Sequence, residues 1–204
     1  MSNTTVPRLA PVPSDEWGDD ARAALRAAFP EAVVARFTAT GPDAAPVPNV
    51  LATLMHHPTL AGPFLAYNQV LLQSPVLDAR QRELMILRVA WRARSRYEWV
   101  QHARLAARLG VTDDEIAAIA DGAPLEWPPL ERALLDATDK LVDHYRVADD
   151  TWKLLAEHLD DAQLVELVFV VGTYVGLAMA FNSFGLQVDP ELQQFSNTLP
   201  PFEE

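Results

Sequence analysis

The 204-residue sequence contains no cysteine. Its own residues therefore cannot supply disulfides, thiolate nucleophiles, thiol redox chemistry or cysteine-type zinc sites. The absence is compatible with a cytoplasmic location, which is the one we expect. Positive charge is also scarce: 16 Lys and Arg stand against 28 Asp and Glu, a net charge of −12. The basic surface that a nucleic-acid partner needs is missing. The first residues, MSNTTVPRLAPVPSDEW, lack a basic stretch followed by an apolar core, so no signal peptide is expected. Strand signals are few, and neither a low-complexity segment nor a clear repeat is visible. What remains is an ordinary globular composition, half apolar and 22% charged. Its length suits a single domain over residues 1–204, with tails at 1–13 and 188–204.

Helical patterning dominates. Ser14 is placed to cap a helix over about 15–29, and the four prolines of the stretch that follows forbid a long helix there. NVLATLMHH ends at Pro58, and LAGPFLAYNQVLLQ ends near Ser74-Pro75. DARQRELMILRVAWRAR has no helix breaker. Gly110 closes the next helix, and Thr112-x-x-Glu115 forms a capping box for the one after it. Prolines 128 and 129 suit a helix entry. The run LVELVFVVGTYVGLAMAF, residues 164–181, carries one charge and lies at the lower limit for a bilayer span without a basic flank after it. We expect a buried central helix and no membrane partner, with Glu166 acting on that helix's own dipole. The fold class expected is all-α, with about eight or nine helices.

Charge is unevenly spread. Residues 78–110 hold 8 arginines against 3 acidic residues, whereas 111–166 hold 15 acidic against 4 basic residues. Most of these arginines are expected to pair with acidic helices in the same chain or another subunit, and some to attract an anionic small molecule. On a helical wheel at about 100° per residue, Tyr97, Gln101, Arg104 and Arg108 of the segment 95–110 share one side. Leu105, Ala106 and Leu109 share the other. His102 falls on that apolar side, with Ser95 and Glu98 in line before it and Trp99 at its border. In the preceding helix Glu83 shares a stripe with Ile86, Leu87 and Ala90. A buried carboxylate needs a partner or a raised pKa, so two inward carboxylates and an inward histidine point to a polar pocket in an apolar bundle. A surface Glu98–His102 pair, a structurally bonded core histidine, and a metal site from Glu83, Glu98 and His102 are the competing accounts. Adjacent His56 and His57 point about 100° apart on a helix and do not suit one ion. No metal is expected.

The register Glu83, Ser95, Glu98, His102 resembles that of the carboxymuconolactone decarboxylase family, which includes the alkylhydroperoxidase D-like proteins. The peroxidase branch carries Cys-x-x-Cys where this sequence has Ser95 and Glu98. The Cys-less branch reads Tyr-Glu-Trp-x-x-His, as here at Tyr97, Glu98, Trp99 and His102. The similarity extends to His56-His57-Pro58, RQRELMILRVAW and FNSFGLQ, over about 49–187. The resemblance implies an alkylhydroperoxidase D-like helical bundle, a homo-oligomer (trimer or hexamer), and a pocket at the inward histidine. Gly172-x-x-x-Gly176 would suit close helix packing.

That similarity implies a cofactor-independent lyase, a decarboxylase or isomerase, acting on a small carboxylated lactone or related ring compound. Thiol peroxidase turnover needs a thiol to be oxidised and a second to resolve it, and neither is available. In such a lyase His102 is the acid/base and Glu98 or Glu83 sets its orientation and charge. Ser95, Tyr97, Trp99, Asn182 and His57 make up the expected substrate-binding set, although the wheel turns Tyr97 outward. Asn182 and Ser183 have an alternative as caps of orphan carbonyls. Trp17, Trp91, Trp127 and Trp152 are expected to be packing residues. A non-catalytic binder or structural oligomer that keeps the pocket is the alternative from another class.

Overall fold

The computed structural model describes residues 6–39, 41, 44–73, 75–121 and 125–202. Among these residues the secondary structure is entirely helical, with eleven α-helices. The chain divides into two compact units, one of residues 1–74 and 183–189, the other of 75–182 and 190–204.

The first unit holds α1 (Asp19–Arg26), α2 (Glu31–Phe37), α3 (Asn49–Leu54) and α4 (Pro58–Gln73). The long first helix expected from Ser14 is broken. Ser14–Glu16 make one 3₁₀ turn, and the helix restarts only at Asp19, after Gly18 in extended conformation. The break follows from Trp17, which turns inward and donates its indole N–H to the Val12 carbonyl at 3.0 Å. Pro58 starts a helix instead of stopping one, and α4 continues through Pro63. An interior proline costs about 3 kcal/mol; close packing of α4 on α1 offsets it. A Cβ on Gly62 would lie 3.3 Å from the Ala24 Cα, so the approach depends on glycine. The returning segment closes the unit: Asn49 donates its backbone N–H to Asp189 at 2.7 Å and its side-chain amide to the Gln187 carbonyl at 2.9 Å.

The second unit contains α5 (Ala79–Arg92), α6 (Arg96–Arg108), α7 (Asp113–Asp121), α8 (Pro129–His144), α9 (Asp149–Ala156), most of α10 (Asp161–Phe184), and α11 (Gln193–Ser196). The helices beyond the expected eight or nine are short ones, such as α2 in the proline-rich stretch and α11 in the tail. Asp78 caps α5 by accepting from the N–H groups of Arg80 and Gln81. Helix α5 is the central element, buried on almost every face from Arg82 to Ala90. A tight turn through Arg94, at φ 52°, returns the chain antiparallel into α6. The Thr112–Glu115 capping box is formed in both directions, at 2.8 and 3.2 Å.

The arginines of α5 pair within the chain. Arg80 reaches Glu115 at 2.5 Å and Glu131 at 2.9 Å, Arg88 reaches Asp139 at 2.7 Å, and Arg92 bridges Asp139 and Asp143 at 2.9 and 2.6 Å. The tail packs on the same unit, where Phe202 stacks near Trp91 with ring centres 4.7 Å apart. Trp127 is partly buried in that cluster, whereas Trp152 is exposed and does not pack as expected.

Two expectations about α10 are corrected. The helix is not buried all round: Val165 is 58% exposed, Phe169 54% and Met179 63%, while Leu167, Val170 and Tyr174 face inward. Gly172 and Gly176 lie on the open side, and nothing among the described residues comes within 4 Å of a Cβ placed on either. Glu166 does not serve its own helix end. Its two carboxylate oxygens accept the N–H groups of Val76 and Leu77 at 2.9 and 3.1 Å, fixing the entry to α5.

Candidate functional site

Helix α6 carries the site, and its orientation differs from the wheel. Its first half is enclosed on nearly all sides: Tyr97, Glu98, Trp99, Val100, His102 and Ala103 are buried. Leu105 and Leu109, expected inside, are 39% and 40% exposed. Tyr97, expected outside, is buried and sets its ring edge-on to Phe181 of α10 at 5.3 Å. A single polar-to-apolar axis cannot describe a helix that α5, α10 and the C-terminal tail enclose in its first two turns. His102 nevertheless lies inward, as does Glu98.

The histidine's partner is Glu83. His102 Nδ1 and Glu83 Oε2 lie 2.7 Å apart, with Glu83 1% and His102 8% exposed. A carboxylate only accepts, so Nδ1 carries the proton and Nε2 is the nitrogen left for exchange. Tyr174 of α10 sets its ring at right angles to the imidazole, 4.9 Å centre to centre. The i,i+4 pair with Glu98 does not form. Both Glu98 carboxyl oxygens are buried without a hydrogen-bond partner.

Burial pushes the Glu98 carboxyl up to about 8, while the Ser95 hydroxyl pulls weakly the other way without meeting hydrogen-bond geometry. At neutral pH Glu98 is mostly an acid with its proton on. Burial, with Glu83 and Glu98 nearby, also raises the Tyr174 phenol, and Arg82 opposes that shift. Arg82, Ser95 and Trp99 contribute further buried atoms without partners: Arg82 Nε and Nη1, Ser95 Oγ and Trp99 Nε1. Folded proteins leave few such atoms, and here six come from four residues of α5, α6 and the turn between them.

The remaining expected site residues have hydrogen-bond partners of their own. Asn182 is exposed and donates to the Ala93 carbonyl at 2.8 Å, which makes it a cap on the turn after α5. His57 belongs to the first unit, where its Nδ1 accepts the Leu60 N–H at 3.3 Å at the start of α4. His56 meets the Ala10 carbonyl at 2.8 Å. Among the described residues no group of three or more His, Asp and Glu converges as a metal-ligand set.

Residues 58–140 match the carboxymuconolactone decarboxylase family, a stretch that includes the Glu83–His102 pair, Glu98 and Ser95. The match covers less than half of the chain and is a similarity of that segment. Three solved structures share its fold. One, from Ralstonia eutropha JMP134, is described as an alkylhydroperoxidase AhpD core and an uncharacterized peroxidase-related protein; its TM-score is 0.68 at 22% identity, covering 85% of this chain and 94% of its own. An uncharacterized peroxidase-related protein from Silicibacter sp. TM1040 gives 0.65 at 18% identity, over 72% of this chain and 78% of its own. A protein of unknown function from Agrobacterium tumefaciens, described as a candidate antioxidant defence protein AhpD, gives 0.60 at 21% identity over 67% and 94%. At these identities the likeness establishes the fold alone. No curated protein shows significant similarity.

Within this site, periodicity does not reveal two residues. Arg82 sits among other arginines and reads as part of a polar face. Tyr174 lies inside an apolar run with no polar periodicity. The usable signal for Arg82 was its position immediately before Glu83, since a helix buried on all sides takes both neighbours inward.

Proposed function

We propose that the protein is a cofactor-independent lyase acting on a small carboxylated lactone or related ring compound, with His102 as acid/base. The observation that carries this reading is the buried Glu83–His102 pair at 2.7 Å, set beside a carboxyl that burial keeps protonated. Similarity to that family supports the reaction class by analogy. In the reaction the C–C bond to a carboxylate breaks and CO2 leaves. The electron pair passes into the conjugated ring carbonyl, and the resulting enolate takes a proton at carbon. Glu83 orients the imidazole so that Nε2, having first taken a proton from water, delivers it to that carbon, and the neutral Glu98 carboxyl donates a hydrogen bond to developing negative charge. A related proton transfer without CO2 loss uses the same groups. Peroxide reduction through a sulfenic acid is closed to a chain without cysteine. The reading includes a cytoplasmic homo-oligomer, trimer or hexamer.

The test is CO2 release and product analysis over a panel of carboxylated lactones, comparing the wild type with His102→Ala. A drop of about 10²-fold or more is expected on removal of a general acid/base. Undiminished turnover by His102→Ala would reject the assignment. Ligand binding with no conversion of any compound would favour a non-catalytic binder.

A further inference from the structure

Arg82 is 7% exposed, and its Nε and Nη1 have no hydrogen-bond partner. Its Nη2 lies 3.6 Å from Glu83 Oε1, within ion-pair range but too far for a hydrogen bond. The other Glu83 oxygen is committed to His102. One carboxylate thus serves two basic side chains, and the second buried carboxyl, Glu98, has neither oxygen hydrogen-bonded to Arg82. Leaving a buried guanidinium this poorly matched is costly. Water could satisfy its N–H groups only one at a time. A carboxylate satisfies two at once with parallel N–H···O bonds that match the planar fork of a guanidinium, and it brings a negative charge within hydrogen-bond range, which Glu83 at 3.6 Å does not. Arg82 reaches the same Glu83 that binds His102, whose ring meets Tyr174, so it stands at the same site.

We infer that Arg82 is the carboxylate anchor of this site, holding a carboxylate of the bound small molecule that the reaction leaves in place. The inference rests on the proposed function in taking the occupant to be a small carboxylated compound. It concerns a retained carboxylate because decarboxylation drains negative charge from the group that departs. An arginine clamped on that group would stabilise the ground state more than the transition state. Arg82 is therefore a residue of binding and specificity, distinct from the acid/base role of His102. Because its unpartnered atoms are closed to solvent, side chains of the cluster part to admit the ligand.

The test measures binding of benzoate and its uncharged isostere benzamide to the full chain by calorimetry, for the wild type, Arg82→Lys and Arg82→Met. The wild type is expected to prefer benzoate by about tenfold or more, the scale of a charge-assisted hydrogen bond. Arg82→Met is expected to lose that preference. Arg82→Lys keeps the charge without the fork and is expected to bind benzoate about tenfold more weakly. Circular dichroism melts establish which variants are folded, and if Arg82→Met is not, the lysine variant decides. A purely structural arginine would leave the benzoate-to-benzamide ratio unchanged in folded variants, and that result overturns the anchor while leaving the His102 reading intact. If the wild type binds neither benzoate nor any carboxylated lactone of the activity panel, the proposed function fails and the anchor with it.

Discussion

Glu98 is a carboxyl without a counter-charge, placed by α6 where neither oxygen finds a donor. Its pH behaviour follows from that geometry. In the unfolded chain a glutamate titrates near its ordinary value, whereas burial holds the folded group up to about 8. Between those two values the unfolded chain has lost a proton that the folded chain retains, so stability falls as pH rises, by at most about 1.4 kcal/mol per pH unit from this one group. Below the ordinary glutamate range both states are protonated and the effect vanishes; above about 8 it is constant. Glu98→Gln removes the titration while keeping the shape. Urea melts of the two proteins are expected to differ least near pH 4 and progressively more toward pH 8, with the glutamine variant the more stable. A difference that does not change with pH would show that Glu98 is solvated. Glu83 makes a different case, because Arg82 and His102 both depend on it. Glu83→Gln leaves two basic groups without their anion and is expected to cost about 3 kcal/mol or more. A urea melt at pH 7 checks the loss. Nitrogen-15 NMR of the imidazole is expected to show Nδ1 carrying the proton in the wild type and a mixture of tautomers in the variant.

Helices α5 and α6 show what the sequence made legible at the level of elements. Their boundaries follow from local chemistry that can be read directly: the Asp78 cap, the Gly110 stop at φ 83°, and the Thr112–Glu115 box. The inward placement of Glu83 is equally legible, since it shares a stripe with Ile86, Leu87 and Ala90, whereas His102 lies inward although Leu105 and Leu109 of its stripe do not. Periodicity failed where a helix is covered by several neighbours, because it assumes one wet face. Tyr97 falls on the wrong side for that reason, and Arg82 of α5 reads as one more surface arginine. Leu105 and Leu109 failed in the opposite sense, as apolar residues left exposed. The arginines that do face outward are explained by partners about thirty to fifty residues away, which no local pattern reveals. Arg80 is the centre of that network: it joins α5 to Glu115 of α7 and Glu131 of α8, and both contacts raise its own pKa. Arg80→Met would leave two partly buried carboxylates facing each other without a cation. A loss of about 2–4 kcal/mol is expected in urea melts at pH 7. The loss is expected to shrink toward pH 4, because Arg80 holds the Glu115 carboxyl below the usual range and that contribution fades as the carboxyl is protonated.

At the scale of the whole molecule, α10 decides how the protein meets its surroundings. It is long and apolar enough to cross a membrane by length and composition, yet 44% of its most apolar window is buried inside the chain. Its inward residues, Leu167, Val170, Val171, Tyr174 and Ala178, are spaced as the core side of a globular helix. The outward residues Val165, Phe169, Gly172, Gly176 and Met179 recur at intervals of three and four, so they form one stripe about 21 Å long at 1.5 Å per residue. Large side chains occupy its ends and two glycines its middle, where the helix backbone lies open. A monomeric soluble protein rarely exposes a contiguous apolar stripe of this kind. Two identical stripes crossing at the glycines would bury the large residues of each against the other, as expected if the homo-oligomer of the proposed function assembles through α10. Phe169→Glu places a charge on that stripe without touching the inward face. In sedimentation velocity the wild type is expected to run as an oligomer and Phe169→Glu as a smaller species with an unchanged circular dichroism spectrum. An unaltered sedimentation profile would remove α10 from the interface. If Phe169→Glu instead abolished partition of the wild type into phospholipid vesicles while oligomer size stayed constant, the stripe would be a lipid-facing surface.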